Sequence, residues 1–88
     1  MVNTIHPLSL KALNCHVLSS LKIGEKGEIV AIEGEDLKLA LLQMGIGEGD
    51  LCTFTGVAPF RDPISIMVNR TKVTIRKRDA ARIWIKTK

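Results

Sequence analysis

The chain has 88 residues, 45% of them hydrophobic but only 3% aromatic, and a net charge of +4. That length allows one domain with an aliphatic core, burying only about 60% of its unfolded surface. No apolar run approaches the ~18 residues that cross a bilayer, and no basic segment followed by a continuous apolar stretch marks a signal peptide, so a cytoplasmic location is expected.

Residues 1–17 read as an N-terminal extension, in which Pro7 opens a weak helical pattern through Leu8, Leu10 and Leu13. Residues 18–88 read as the domain. Leu18, Leu21 and Ile23 lead into a turn at Gly24 and Gly27. Residues 28–33 form a first strand, with Val30 and Ile32 apolar. Ile29 and Ala31 leave its other face apolar too, so the inward face stays open.

Residues 36–50 are the most informative stretch. Leu37, Leu41 and Met44 fall at helical spacing. Asp36 is the expected N-cap, since its carboxylate can accept from first-turn amides. Gly45 is placed for the left-handed reversal that ends a helix, and Gly47 and Gly49 turn the chain into the next strand.

Residues 50–57 form the second strand, with Cys52 and Phe54 inward against Thr53 and Thr55. Pro59 and Pro63 make residues 58–63 a loop, because proline donates nothing to a sheet ladder. The third strand, residues 64–68, puts Ile64, Ile66 and Val68 on one face. Asn69 and Arg70 make a tight turn, and asparagine tolerates positive φ there. The fourth strand, residues 71–76, turns Val73 and Ile75 inward. Residues 77–81 form a helical turn. The last strand, residues 82–86, turns Ile83 and Ile85 inward and Arg82, Trp84 and Lys86 outward. The chain is therefore all-β: a small SH3-like barrel of about five strands with one inserted short α-helix. Closure suits so small a sheet because it removes unpaired edges.

The charge is uneven. Residues 1–69 carry five Lys/Arg against eight Asp/Glu, whereas residues 70–88 carry eight Lys/Arg against Asp79 alone. A cationic end on a mildly acidic body can steer an acidic partner, a phosphate backbone or an anionic membrane face, or simply keep an edge strand soluble.

In order and spacing these segments resemble the ferrous-iron transport protein A family (FeoA) over residues 18–86. The resemblance is carried by Leu-Ser-Ser-Leu-Lys-Ile-Gly-Glu-Lys-Gly-Glu-Ile-Val at 18–30, Leu-Leu-Gln-Met-Gly-Ile at 41–46 and Gly-Asp at 49–50. Ala58-Pro59, Asp62-Pro63-Ile64 and the tail from Ile75-Arg76 through Ala80 to Ile83 complete it. The family usually has Pro where Ile23 and Glu48 stand, and Gly at Arg61 and Arg70, where Asn69 is expected to take the left-handed role instead. The resemblance implies a small SH3-like accessory of a membrane-embedded ferrous-iron transporter that carries its own cytosolic GTP-binding domain. It implies neither a permease nor an enzyme, and a place at the inner face of the membrane.

His6, Cys15, His16 and Cys52 lack the C-x₂-C or H-x₃-H spacing that brings ligands to one side of an ion, so no metal and no cofactor is expected. The two cysteines suit a reducing compartment rather than a disulfide framework. The serines have no histidine placed to activate them, and Glu33, Glu35 and Asp36 flank a helix N-terminus, where acids are favoured electrostatically. No catalytic residue is assigned.

The expected partner contacts are apolar Leu39, Leu42, Met44, Met67 and Trp84, with Arg76, Lys77, Arg78 and Arg82 steering the encounter. The alternative is a nucleic-acid-binding barrel using the basic C-terminal strand, against which stands the shortage of exposed aromatics for stacking. A detached metal-repressor module is a third reading, weakened because no DNA-reading helix-turn-helix precedes the barrel.

Overall fold

The computed structural model describes residues 14–87, so the helical pattern around Pro7 and the candidate ligand His6 lie outside the described residues. Six strands form one antiparallel sheet: β1 Cys15–Val17, β2 Lys26–Ile32, β3 Leu51–Val57, β4 Ile64–Val68, β5 Thr71–Ile75 and β6 Ile83–Thr87. Their order is β1-β6-β2-β3-β4-β5. A 3-10 turn at Leu18–Ser20 follows β1, helix α1 (Glu35–Gln43) joins β2 to β3, and the single-turn helix α2 (Lys77–Ala80) joins β5 to β6. The sheet wraps one aliphatic core that includes Leu18, Ile29, Leu41, Ile64, Ile66, Ile83 and Ile85.

The hairpin of β4 and β5 follows its sequence pattern. Ile64, Ile66, Val68, Val73 and Ile75 are all buried, and Ile64 pairs with Ile75 while Val68 pairs with Thr71. Its turn holds Asn69 at φ 51° and Arg70 at φ 66°. Both residues are left-handed, so Asn69 takes that role together with Arg70 rather than in its place. Arg61 is left-handed as well, at φ 66°. Side chains other than glycine and asparagine pay roughly 1–2 kcal/mol for that region.

Three features depart from expectation. First, β2 is bulged: its register against β6 shifts between Ile29, opposite Ile85, and Ala31, opposite Trp84. The extra residue lets Ile29 and Ile32 both enter the core, which simple alternation forbids. Second, the chain forms a strand at Cys15–Val17, where no strand was expected, and it pairs with β6. Cys15 and His16 therefore alternate across a strand, Cys15 buried and His16 exposed.

Third, Trp84 is corrected. It lies on the face opposite Ile83 and Ile85, as its position requires, yet is only 4% exposed. Cys15, Val17, Val30 and Ala31 pack around it as a second, smaller apolar cluster on the outer side of the sheet. Its indole N–H donates to the Glu33 carboxylate. A buried, hydrogen-bonded tryptophan is no docking contact.

Candidate functional site

Helix α1 carries an exposed apolar surface. Leu37 and Leu41 face the core, while Leu39 and Leu42, three residues apart, share the outer face at 57% and 63% exposure. Met44, the C-cap, is 54% exposed. It therefore leaves the inward stripe that helical spacing suggested and joins the outer face. The helix stops as the glycines imply: the Gly45 amide donates to the Leu42 carbonyl and the Ile46 amide to the Leu41 carbonyl, both at 2.9 Å. This is the paired 5→2 and 6→1 pattern of a Schellman stop, with Gly45 at φ 78°. Ile46 is drawn into the core beside Leu41, which fixes the end of the helix that presents Leu42 and Met44.

The start of α1 is fixed differently from the sequence expectation. Gly34, not Asp36, is the N-cap, and no side chain caps it. The Asp36 carboxylate instead accepts from Arg82 Nη2 at 2.7 Å. Arg82 Nε donates to the Glu33 carbonyl at 3.1 Å, and the Glu33 amide donates back to the Arg82 carbonyl at 2.8 Å. Arg82 Nη1 reaches Asp79 Oδ1 at 3.5 Å. The guanidinium crosses so close to Gly34 that a Cβ there would sit 1.8 Å from Nη2. The hydrogen bond from Arg82 holds the Asp36 carboxyl below the usual carboxylate range, and the same bond raises the already high pKa of Arg82. Arg82 thus differs from its expected steering role. Its charge is engaged within the molecule, tying β6 to the helix start.

The other expected contacts are scattered. Arg76, Lys77 and Arg78 are exposed around α2. Met67, 38% exposed, lines a shallow groove on the outer face of β4 and β5 with Ser65, Lys72 and Thr74, and no α1 residue shares that wall. The structure therefore gathers Leu39, Leu42 and Met44 into one surface and separates them from Met67.

The basic strand offers no stacking platform. Of the three aromatic residues, Phe54 and Trp84 are buried and only Phe60 is exposed. Burial pushes the Cys52 thiol up to about 11, so it is protonated at neutral pH and a poor metal ligand. Among the described residues no three His, Cys, Asp or Glu side chains gather as a metal site would require, and no helix is long and apolar enough to cross a membrane.

Sequence reasoning passed over a second exposed apolar cluster. Ile23 is 68% exposed, Val57 44% and Phe60 94%. Ile23 and Val57 line one groove of about 400 Å³ together with Lys22, Arg61 and Lys77. The lone aromatic between Pro59 and Arg61, in a proline-bounded loop, was the available signal.

The model of the FeoA domain matches residues 16–87. The Fe(2+) transport protein A/Fe(2+) transporter FeoB fusion protein of Porphyromonas gingivalis is 35% identical over 69 residues, or 77% of this chain. The chain spans only 8% of that relative's length. A crystal structure of an iron uptake regulatory protein (FeoA) superposes with a TM-score of 0.74 at 27% identity, covering 84% of this chain and 97% of the other. The solution structure of iron(II) transport protein A from Clostridium thermocellum gives a TM-score of 0.69 at 33% identity, covering 80% and 44%. These likenesses agree with a small SH3-like barrel, here with a sixth short strand.

Proposed function

This chain belongs to the FeoA domain family, and from that premise we propose that it is an accessory protein of a ferrous-iron uptake system. It works in the cytoplasm, at the inner face of the membrane, by binding the cytosolic GTP-binding domain of the iron transporter. Support comes first from the Porphyromonas gingivalis relative, whose name joins Fe(2+) transport protein A and the transporter FeoB in one fusion protein. A tether of that kind raises the effective concentration of one part beside the other and makes a weak contact sufficient. In the present chain α1 supplies an exposed apolar surface suited to such a contact.

Leu39, Leu42 and Met44 are the contact residues of this reading. They project from a helix whose start is fixed by Arg82 and whose end is fixed by the Gly45 stop. A partner therefore meets apolar side chains already held in place, which lowers the ordering cost of association. Arg76, Lys77 and Arg78 add positive potential that speeds encounter with an acidic partner. The test is binding of the labelled protein to the soluble GTP-binding domain, with Leu42→Asp as the variant. Binding by the native chain and its loss in a folded Leu42→Asp variant support the reading, and undiminished binding by that variant removes α1 from it.

A further inference from the structure

We propose that the end of the barrel opposite α1 is a lipid-docking tip, which inserts Phe60 and Ile23 into an anionic bilayer while Lys22, Arg61 and Lys77 engage the headgroups. This extends the membrane-side placement proposed above and names the surface that would produce it.

The strands themselves separate the two ends. β2 and β3 are antiparallel, with Lys26 opposite Thr53 and Glu28 opposite Leu51. Helix α1 leaves the end of β2 and returns to the start of β3. The Lys22–Gly24 turn precedes β2, and the loop carrying Phe60 follows β3, so both lie at the far end of this pair. Backbone bonds hold these pieces together. The Gly24 amide donates to the Phe54 carbonyl at 2.8 Å, the Arg61 amide to the Ala58 carbonyl at 2.7 Å, and the Ala58 amide to the Pro63 carbonyl at 3.0 Å. The Asp62 carboxylate accepts from the Lys77 amide at 2.9 Å, which ties α2 to the same loop.

The chemistry of this end is specific in kind. Phe60 is 94% exposed and belongs neither to the groove lining nor to the buried core. Exposed apolar side chains on turns, ringed by long cationic ones, match the layering of a membrane interface, where rings sit among acyl chains and Lys or Arg heads reach the phosphates. Among the described residues, none of the three cations of the groove, Lys22, Arg61 and Lys77, forms an ion pair with an acid. The two nearby acids are committed to amides: Glu25 Oε1 accepts from the Lys22 amide at 2.6 Å, and Asp62 accepts from that of Lys77. A protein partner would be expected to fill the groove with a side chain. Here Phe60 stands exposed outside the groove lining and next in sequence to the groove cation Arg61, and its complement is an anionic, deformable surface.

The test uses the full chain and liposomes without any transporter, so that it is independent of binding to the GTP-binding domain, which is measured in solution without lipid. Co-sedimentation is measured with phosphatidylcholine vesicles and with vesicles containing about 30% phosphatidylglycerol, at about 0.1 M salt where interfacial electrostatics still act. The expected result is binding to the anionic vesicles only, weakened about tenfold or more by Phe60→Ala, as loss of one inserted phenyl ring requires. Arg61→Glu with Lys77→Glu should also weaken it, and Leu42→Asp should leave it unchanged. No binding to anionic vesicles, or binding that Phe60→Ala leaves intact, overturns the proposal. Equal loss in Leu42→Asp overturns it as well, since the surface would then lie at α1.

Discussion

At one end of the β2–β3 pair, Leu39, Leu42 and Met44 stand on a helix whose first turn carries Glu35 and Asp36 and whose Lys38 pairs with Glu48. At the other, Ile23 and Phe60 stand on turns and Val57 ends β3, with Lys22, Arg61 and Lys77 at the same end. Both ends expose aliphatic or aromatic surface, so hydrophobicity alone does not distinguish them. Presentation and charge do. The helix holds its residues at fixed spacing, with an ion-paired start and a hydrogen-bonded stop, which suits a partner of defined shape. The turns hold theirs at apices among cations, which suits a surface that adapts. A small domain with both could bridge a protein and the membrane beside it.

The largest perturbation of this contrast is Leu41→Ala. Leu41 is 1% exposed and anchors α1 through both its side chain and the carbonyl that receives Ile46. Its loss should cost about 2–5 kcal/mol in denaturant unfolding and abolish binding at the helix end. A cost well below that range would mean that α1 is not seated on the core as described.

Leu42→Asp separates the two ends more cleanly. Affinity for the GTP-binding domain should fall by about two orders of magnitude, the scale of a central apolar contact. The thermal midpoint and vesicle binding should hardly move. Unfolding of this variant would place Leu42 in the core and remove the surface.

Acid should loosen the start of helix α1 through Asp36. Its carboxyl is held below the usual range, chiefly by the hydrogen bond from Arg82. The stabilisation from this pairing is therefore complete above the ordinary carboxylate pKa and is lost as pH falls through the lower folded value. The protection of amides in the first turn of α1, taken relative to their intrinsic exchange rates, should fall on acidification, and Asp36→Asn should flatten that response. An unchanged acid response in Asp36→Asn would assign it to another group.

The smallest effect expected is a gain. Arg70 sits at φ 66° in the β4–β5 turn, so Arg70→Gly should stabilise the fold by about 1 kcal/mol without changing either surface. Destabilisation instead would reveal that the Arg70 side chain contributes more than its backbone costs.

The sequence made the regular parts of this fold legible. Within β4 and within β5 apolar residues recur at every second position, and the inward assignments of Ile64, Ile66, Val68, Val73 and Ile75 agree with burial. Gly45 likewise marked the helix stop. What escaped depended on contacts between distant residues. The β2 bulge breaks alternation, so Ile29 and Ile32 could not be assigned from their own strand. Arg82 lies 46 residues from Asp36 and 49 from Glu33, and nothing local says that its charge is engaged. Trp84 was placed on the correct side of its strand, but the residues that cover it come from β1 and β2. The cationic tip was missed because Ile23, Val57 and Phe60 are ordinary in isolation and come together only when the turns before β2 and after β3 meet.

The most direct measurement is an amide chemical-shift titration of the isotope-labelled chain with the soluble GTP-binding domain of its transporter. Localised shifts across residues 39–49, with Ile23 and Phe60 unmoved, are the predicted result. Shifts centred on Ile23, Phe60 and Lys77, or none at high micromolar partner, would contradict a helix-end contact.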